Sequence, residues 1–229
     1  MSRRVLIGTI AGAVVLAGAL AAALTLATGS KKPSSAVGAA AVAQMFHGIP
    51  QQGPILGRAD APVTLVEFAD PQCPYCGEWA KVALPVIVSR YVRTGKVRIV
   101  FNGLTFVGSD SEKALRAALA AGRQHRFWNV IELLYENQGT ENTGWVSDSF
   151  LHRIGSSIPG LDVKRMLSES SLGSVTSQIG QAAALANQAG VDATPTFAVG
   201  KTGGTLQVVQ LRSFKASGIE PSLDAALAS

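Results

Sequence analysis

The stretch Val66-Glu-Phe-Ala-Asp-Pro-Gln-Cys-Pro-Tyr-Cys76 decides how this chain is read. It begins inside Pro62-Val-Thr-Leu-Val-Glu-Phe68, which is β-branched and apolar on both faces. That pattern suits a central strand covered on both sides. Ala69-Asp70-Pro71-Gln72 ends the strand, and Asp70 is read as shaping the turn rather than moving protons. Pro74 then occupies the favoured first position of a helix. Apolar residues at helical spacing follow through Trp79, Val82, Ala83, Val86, Ile87 and Tyr91, and Gly95 stops them. Pro85 lies within and predicts a kink. Val97-Arg-Ile-Val-Phe101 reads as a second strand, so the unit is βαβ with parallel strands.

The frame places the chain's two cysteines, Cys73 and Cys76, one turn apart at the start of a helix. At that spacing the sulfurs can join in a disulfide. The free N–H groups and the macrodipole of a helix N-terminus favour a negative sulfur. Cys73, at the N-cap, is therefore expected to have a lowered pKa and to attack disulfides. Cys76, one turn inside, is expected to be less exposed and to act as the resolving thiol. Stabilising the reduced form's thiolate makes the disulfide more oxidising, by about 30 mV for each 1.4 kcal/mol. Pro74 and Tyr75 set the local geometry and field. Two other uses of the pair compete. A structural metal site wants four ligands, and His47, His125 and His152 show no paired ligand spacing. A passive disulfide closing four residues would constrain little chain entropy.

Further along, Ser109-Asp-Ser-Glu112 has the form of a capping box, with Ser at the N-cap and Glu at N3. It opens a helix through Ala121, and Phe127–Tyr135 gives another. Helical patterns over 147–154, 162–169 and 172–189 complete a helical block. Thr196–Val199 reads as a short strand, Gly203-Gly204 as a hairpin turn, Thr205–Leu211 as the return strand and Pro221–Ala228 as a terminal helix. The fold expected is α/β: a mixed sheet, βαβ then ββα, with an all-helical insertion at about 109–190. His125, Arg126 and His152 read as helix surface, Phe127 and Trp128 as a core anchor, and Trp145 as packing with a groove-lining role open to it. No hydrolase triad or phosphate loop can be argued from these spacings.

Ahead of this domain the chain changes character. Of its 229 residues, 47% are hydrophobic and 15% charged, which excludes a disordered or collagen-like polymer. Residues 5–28 carry no charge, and no acid precedes Asp60. As a helix those 24 residues would span about 36 Å, enough for a bilayer core of about 30 Å. They are longer than the roughly 7–15-residue core of a cleaved signal. We therefore expect a cytoplasmic tail at 1–4 bearing Arg3 and Arg4, a transmembrane signal-anchor at 5–28, a linker at 29–54 and the folded domain at 55–229. Small residues around Ala17–Ala21 leave cleavage open. The domain would face outward, where disulfides persist. Beyond residue 28 the charge is 18 basic against 15 acidic, with no dense basic patch, so no nucleic-acid partner is expected.

Val66–Cys76 resembles the active-site stretch of the DsbA-like thioredoxin-fold family, in particular its membrane-anchored disulfide-bond formation proteins of the BdbD type. Gly190-Val-Asp-Ala-Thr-Pro-Thr-Phe197 is similar to that family's cis-proline loop. The helical insertion, with Phe127-Trp128 in its second helix, and the helix carrying Leu84-Pro85 fit as well. The resemblance covers about residues 53–229. It implies a thioredoxin fold with an inserted helical domain that catalyses dithiol–disulfide exchange on exported proteins bearing free thiols. It implies a cis Thr194–Pro195 peptide beside the cysteines, where sequence alone reads Pro195 as an ordinary loop proline. The backbone of Thr194 would then pair with an extended substrate segment. It further implies that Glu67 is a buried acid serving the resolving thiol; the alternative reading of the residue is a strand-end glutamate in water. No metal or other cofactor is expected beyond the redox-active Cys73–Cys76 pair. With no second cysteine pair, reoxidation would fall to an outside membrane protein, by resemblance of the DsbB or VKOR kind. Some relatives place His between the cysteines; here Pro74-Tyr75 stands there, so an extreme oxidising potential is not implied. Alternatives on the same fold are a reductase or isomerase, a peptide-binding or chaperone-like module, and a metal-carrying domain.

Overall fold

A computed structural model describes residues 35–229. The expected tail and anchor, and the start of the linker, lie outside the described residues. Among the described residues no helix is long and apolar enough to cross a membrane.

Six strands form one mixed sheet: β1 (Gln51–Gln52), β2 (Ile55–Leu56), β3 (Val63–Ala69), β4 (Val97–Gly103), β5 (Thr196–Lys201) and β6 (Gln207–Val209). Their spatial order is β1-β2-β4-β3-β5-β6. Only β3 and β4 run parallel, with Glu67 opposite Phe101; β5 pairs antiparallel with β3, placing Phe197 opposite Glu67 on the other side. The parallel pair is joined by α2 (Pro74–Val82), α3 (Leu84–Ile87) and a π-helical turn (Val88–Val92). The α2–α3 break falls at Ala83, just before Pro85, which has no N–H to offer Lys81.

Alternation along β3 sorts its side chains between two cores. Val63, Leu65 and Ala69 enter the larger core, and Val66 and Phe68 enter a smaller one that also holds Leu104, Ala186, Val191 and Ala198. Glu67, in step with Leu65 and Ala69, faces the larger core. Between β4 and β5 the chain inserts α4 (Ser109–Gly122), α5 (Phe127–Glu136), α6 (Asp148–Ser156), α7 (Val163–Glu169) and α8 (Gly173–Gln188). Helix α9 (Glu220–Ala228) closes the chain. Helix α5 seats on the sheet through Phe127 and Trp128, whose rings lie 5.3 Å and 6.0 Å from that of Phe101.

Three expectations need correction. The expected linker through residue 54 already belongs to the folded unit, which begins at Ser35. Its helix α1 (Ala39–Phe46) buries Val42 and Phe46, and the Phe46 ring meets that of Trp128 edge-on at 6.2 Å. Apolar side chains at helical spacing found a partner surface that composition alone does not reveal. The capping box of α4 does not form: Gly108 is the N-cap and no side chain caps it. Asp110 instead accepts from the Gly144 N–H at 2.8 Å, and Glu112 pairs with Arg116 at 2.7 Å. Tertiary and i,i+4 partners have taken both acids. The return strand is shorter than Thr205–Leu211, because pairing with β5 ends at Val209.

Candidate active site

Cys73 is the N-cap of α2, with extended backbone (φ −64°, ψ 121°), and Pro74 follows at the first helical turn. Both cysteines are free and buried, Cys76 with no exposed surface. The loop before them is fixed by Asp70, wholly buried, whose carboxylate accepts from the N–H groups of Gln72 at 2.7 Å and Val107 at 3.0 Å. The Thr194–Pro195 bond is cis, and the Thr194 oxygen lies 3.3 Å from Cys73 Sγ.

The two thiols are driven apart in acidity. Cys73 is lowered to about 6, chiefly by hydrogen bonding from Cys76, aided by the Thr194 side chain and the N–H groups of Tyr75 and Cys76, while burial opposes the shift. Thr194 acts in both senses, since its backbone oxygen accepts from the thiol form. Cys76 is pushed well up, first by burial and then by its role as donor to Cys73. The first negative charge of the pair therefore resides on Cys73, with Cys76 as its hydrogen-bond donor. Glu67, 2% exposed, has its pKa raised to about 8 by burial. The Trp79 indole N–H, buried and without a hydrogen-bond partner, approaches the Glu67 carboxyl closely enough to moderate that rise yet falls short of hydrogen-bond geometry.

The structure thus brings together Cys73, Pro74, Tyr75, Cys76, Thr194 and Pro195, with Glu67 beneath Cys76. Tyr75 is 58% exposed and stacks on Phe214 at 5.5 Å and 18°. His125 and His152 are exposed on the helical insertion, and no group of three metal-ligating side chains occurs among the described residues.

Sequence reading missed the groups that hold this site from the helical insertion. Gln138 Nε2 donates to the Pro71 and Cys73 oxygens at 3.0 and 3.1 Å. Tyr135 Oη donates to the Asp70 oxygen at 3.2 Å. Gln72 Oε1 accepts from the Asn142 N–H at 2.8 Å and from Trp145 Nε1 at 3.3 Å. These bonds join residues 65 to 73 positions apart, so no local pattern announced them. Trp145 packs edge-on against Phe150 at 5.0 Å, as read from the sequence, and its indole N–H also supports the active-site loop through Gln72.

A βαβ-ββα sheet carrying a Cys-x-x-Cys at a helix N-terminus beside a cis-proline loop defines a thioredoxin-fold dithiol protein. The sequence profile of the Thioredoxin family matches residues 50–207, and the chain belongs to that family. It is 34% identical over 125 residues to the "Probable disulfide bond formation protein D" of Bacillus cereus, covering 53% of this chain and 57% of that protein. It is 29% identical over 148 residues to the "Disulfide bond formation protein D" of Bacillus subtilis, covering 64% of this chain and 67% of that one. The matches thus span little more than half to two thirds of these relatives. The crystal structure of oxidised BdbD from Bacillus subtilis superposes with a TM-score of 0.68 at 26% identity, covering 80% of this chain and 97% of that one.

Proposed function

We propose that this protein is a thiol–disulfide oxidoreductase that introduces disulfides into exported proteins from the outer side of a membrane, held there by residues 5–28. The observation that carries the reading is the opposed acidity of the two thiols: Cys73 down to about 6 and Cys76 well up, on one helix turn beside the Thr194 oxygen. Disulfide bond formation proteins among its relatives support the same chemistry.

In the reaction, a substrate thiolate attacks Cys73 Sγ of the Cys73–Cys76 disulfide. A substrate–Cys73 bond forms, the Cys73–Cys76 bond breaks, and the electron pair leaves on Cys76. A thiolate there is costly in the buried site, so it takes a proton, and Glu67, still largely protonated at neutral pH, supplies it. The substrate's second thiolate then attacks its own sulfur in the mixed disulfide and expels Cys73 as thiolate, a good leaving group with a pKa of about 6. The substrate has lost two electrons and the Cys73–Cys76 pair has gained them. A membrane oxidant of the DsbB or VKOR kind returns the pair to the disulfide, and no other cofactor takes part. The backbone of Thr194, in the cis-proline loop ahead of β5, is the group offered to an extended substrate segment.

Two measurements test this. Cys76→Ser is expected to accumulate mixed disulfides through Cys73 under thiol-blocking conditions; recovering none would remove the division of labour. Equilibration of the soluble domain with glutathione is expected to place the pair in the oxidant range of about −120 to −180 mV. A value near −270 mV would make it a reductant.

A further inference from the structure

Trp79 Nε1 is the one fully buried side-chain nitrogen or oxygen among the described residues that makes no hydrogen bond. Trp79 has no exposed surface, so water does not satisfy the donor in its place. A buried donor left unpaired is costly, and each case in a native fold calls for a reason. Packing is not a sufficient one. The ring lies on that of Phe197, with centroids 4.3 Å apart and planes at 49°. A phenylalanine would supply an aromatic face there without a donor to bury.

The unpaired N–H has a neighbour that changes charge. Phe197 stands directly opposite Glu67 in the antiparallel β3–β5 register, and residues so paired share one face of the sheet. Phe101 flanks Glu67 on the other side, in the parallel β3–β4 register. Both rings belong to the larger core. Trp79, lying on Phe197, therefore reaches the sheet beside Glu67. Cys76 precedes Trp79 by three residues on α2, so the two point to the same side of the helix. The indole is thus held between the resolving thiol's helix and the buried acid's strand. The titratable groups that face Glu67 are Cys76 on α2 and Glu132 and Tyr135 on α5. None of these is a cation, and the indole N–H is the group that favours the charged form of Glu67. A neutral carboxyl is a weak acceptor for that N–H, and a carboxylate is a strong one.

We propose that the Trp79 indole N–H closes onto the Glu67 carboxylate when Glu67 gives up its proton, and lets go when the proton returns. The inference rests on the proton role given to Glu67 above. When the Cys73–Cys76 bond breaks, the Cys76 thiolate takes the Glu67 proton. The negative charge moves to Glu67, and the waiting N–H donates to it. At reoxidation the Cys76 thiol returns its proton to Glu67, its sulfur re-enters the disulfide, and the N–H is unpaired again. The donor is orphaned in one state and makes a charge-assisted bond in the other. It eases proton release from a buried acid without a cation that would hold Glu67 ionised throughout the cycle. Trp79 takes no part in the sulfur exchange and is a positioning residue that acts through Glu67.

The first test needs no substitution at Trp79. The indole N–H resonance of Trp79 is followed by nitrogen-15 and proton NMR in the reduced full chain, assigned by its contact with the Phe197 ring. It is expected to move downfield as pH rises, with a midpoint of about 8, where Glu67 ionises. In Glu67→Gln that movement should vanish. A resonance that stays fixed, or that moves equally in Glu67→Gln, overturns the proposal. The second test is the pH profile of Cys76-dependent resolution of a mixed disulfide between Cys73 and a chromogenic aromatic thiol. Trp79→Phe keeps a ring against Phe197 and removes the N–H. Its profile is expected to shift upward by about one pH unit, a tenfold change in the proton affinity of Glu67. An unshifted profile in Trp79→Phe, with Glu67→Gln slow, overturns the Trp79 bond and leaves the Glu67 role standing. A uniform slowing at every pH makes Trp79 a packing residue only, and the proposal fails. If Glu67→Gln resolves as fast as the unsubstituted protein, the Glu67 role falls and the proposal with it.

Discussion

Glu67 costs the protein stability. Its folded pKa of about 8 exceeds the unfolded carboxyl value, so between those values the native state binds more protons than the unfolded state. Stability must fall as pH rises through that window and level off above the folded value. At pH 7 the penalty is on the order of 3 kcal/mol, since each tenfold change in proton affinity is worth about 1.4 kcal/mol. Glu67→Gln is therefore expected to stabilise the protein by about that amount at pH 7, and to give little at pH 4. Urea unfolding at the two pH values checks it; an equal effect at both would mean the carboxyl is not held neutral by burial. The same scale explains what could be read in advance. A charge inside Val63–Ala69 stands out because a strand shows its two faces by alternation. Glu132 sits in an equally apolar run, but α5 is buried from Phe127 to Tyr135, so its periodicity marks no polar face and does not announce that this acid is buried too. Cys73 and Cys76 were legible because spacing and helix position suffice to order their acidities. A second check is direct: the thiolate absorbance of Cys73 should titrate with a midpoint of about 6 in the reduced protein.

Among the elements, the active-site loop is fastened from one side by the helical insertion. Gln138 is central, because its amide reaches the carbonyls of Pro71 and Cys73 on either side of the turn. Its Oε1 comes so near Gly77 that a Cβ there would stand 2.8 Å away. Gln138→Leu removes two donors while keeping bulk, leaving carbonyls that water reaches poorly. Loss of about 1–3 kcal/mol is expected, with Cys73 shifted in its thiolate titration because its backbone is no longer held. Chemical denaturation and the absorbance titration together check this; a stability loss with an unmoved titration would make Gln138 a structural clamp only. This scale also shows why local signals went wrong. The Ser109–Glu112 pattern is a valid cap signature, but Asp110 and Glu112 found better partners at Gly144 and Arg116. By contrast Pro85 broke its helix as expected, since a missing N–H is a covalent fact that no tertiary contact repairs.

Across the whole folded unit, helical insertion and sheet share one core. The larger cluster runs from Phe46 and Leu56 through Trp79 and Phe101 to Ile154 and Met166 without a boundary. The βαβ and ββα parts were readable from periodicity, and the insertion from its length between two motifs. What sequence did not show is that the segment before residue 54 belongs to the same body. Tether-like composition and a packed helix α1 make different predictions for Phe46. On a tether, Phe46→Ala would change stability by no more than about 0.5 kcal/mol. Packed at 4% exposure against Trp128, its loss should cost about 3 kcal/mol, at the lower end for a buried Phe because the site lies at the edge of the core. Since Trp128 also meets Phe101 on β4, the cost should fall on the domain as a unit. Far-ultraviolet ellipticity and tryptophan fluorescence are then expected to report one coincident urea transition, moved to lower denaturant by the substitution with its slope unchanged. Two separated transitions would mean that α1 and the insertion fold apart from the sheet that carries the cysteines.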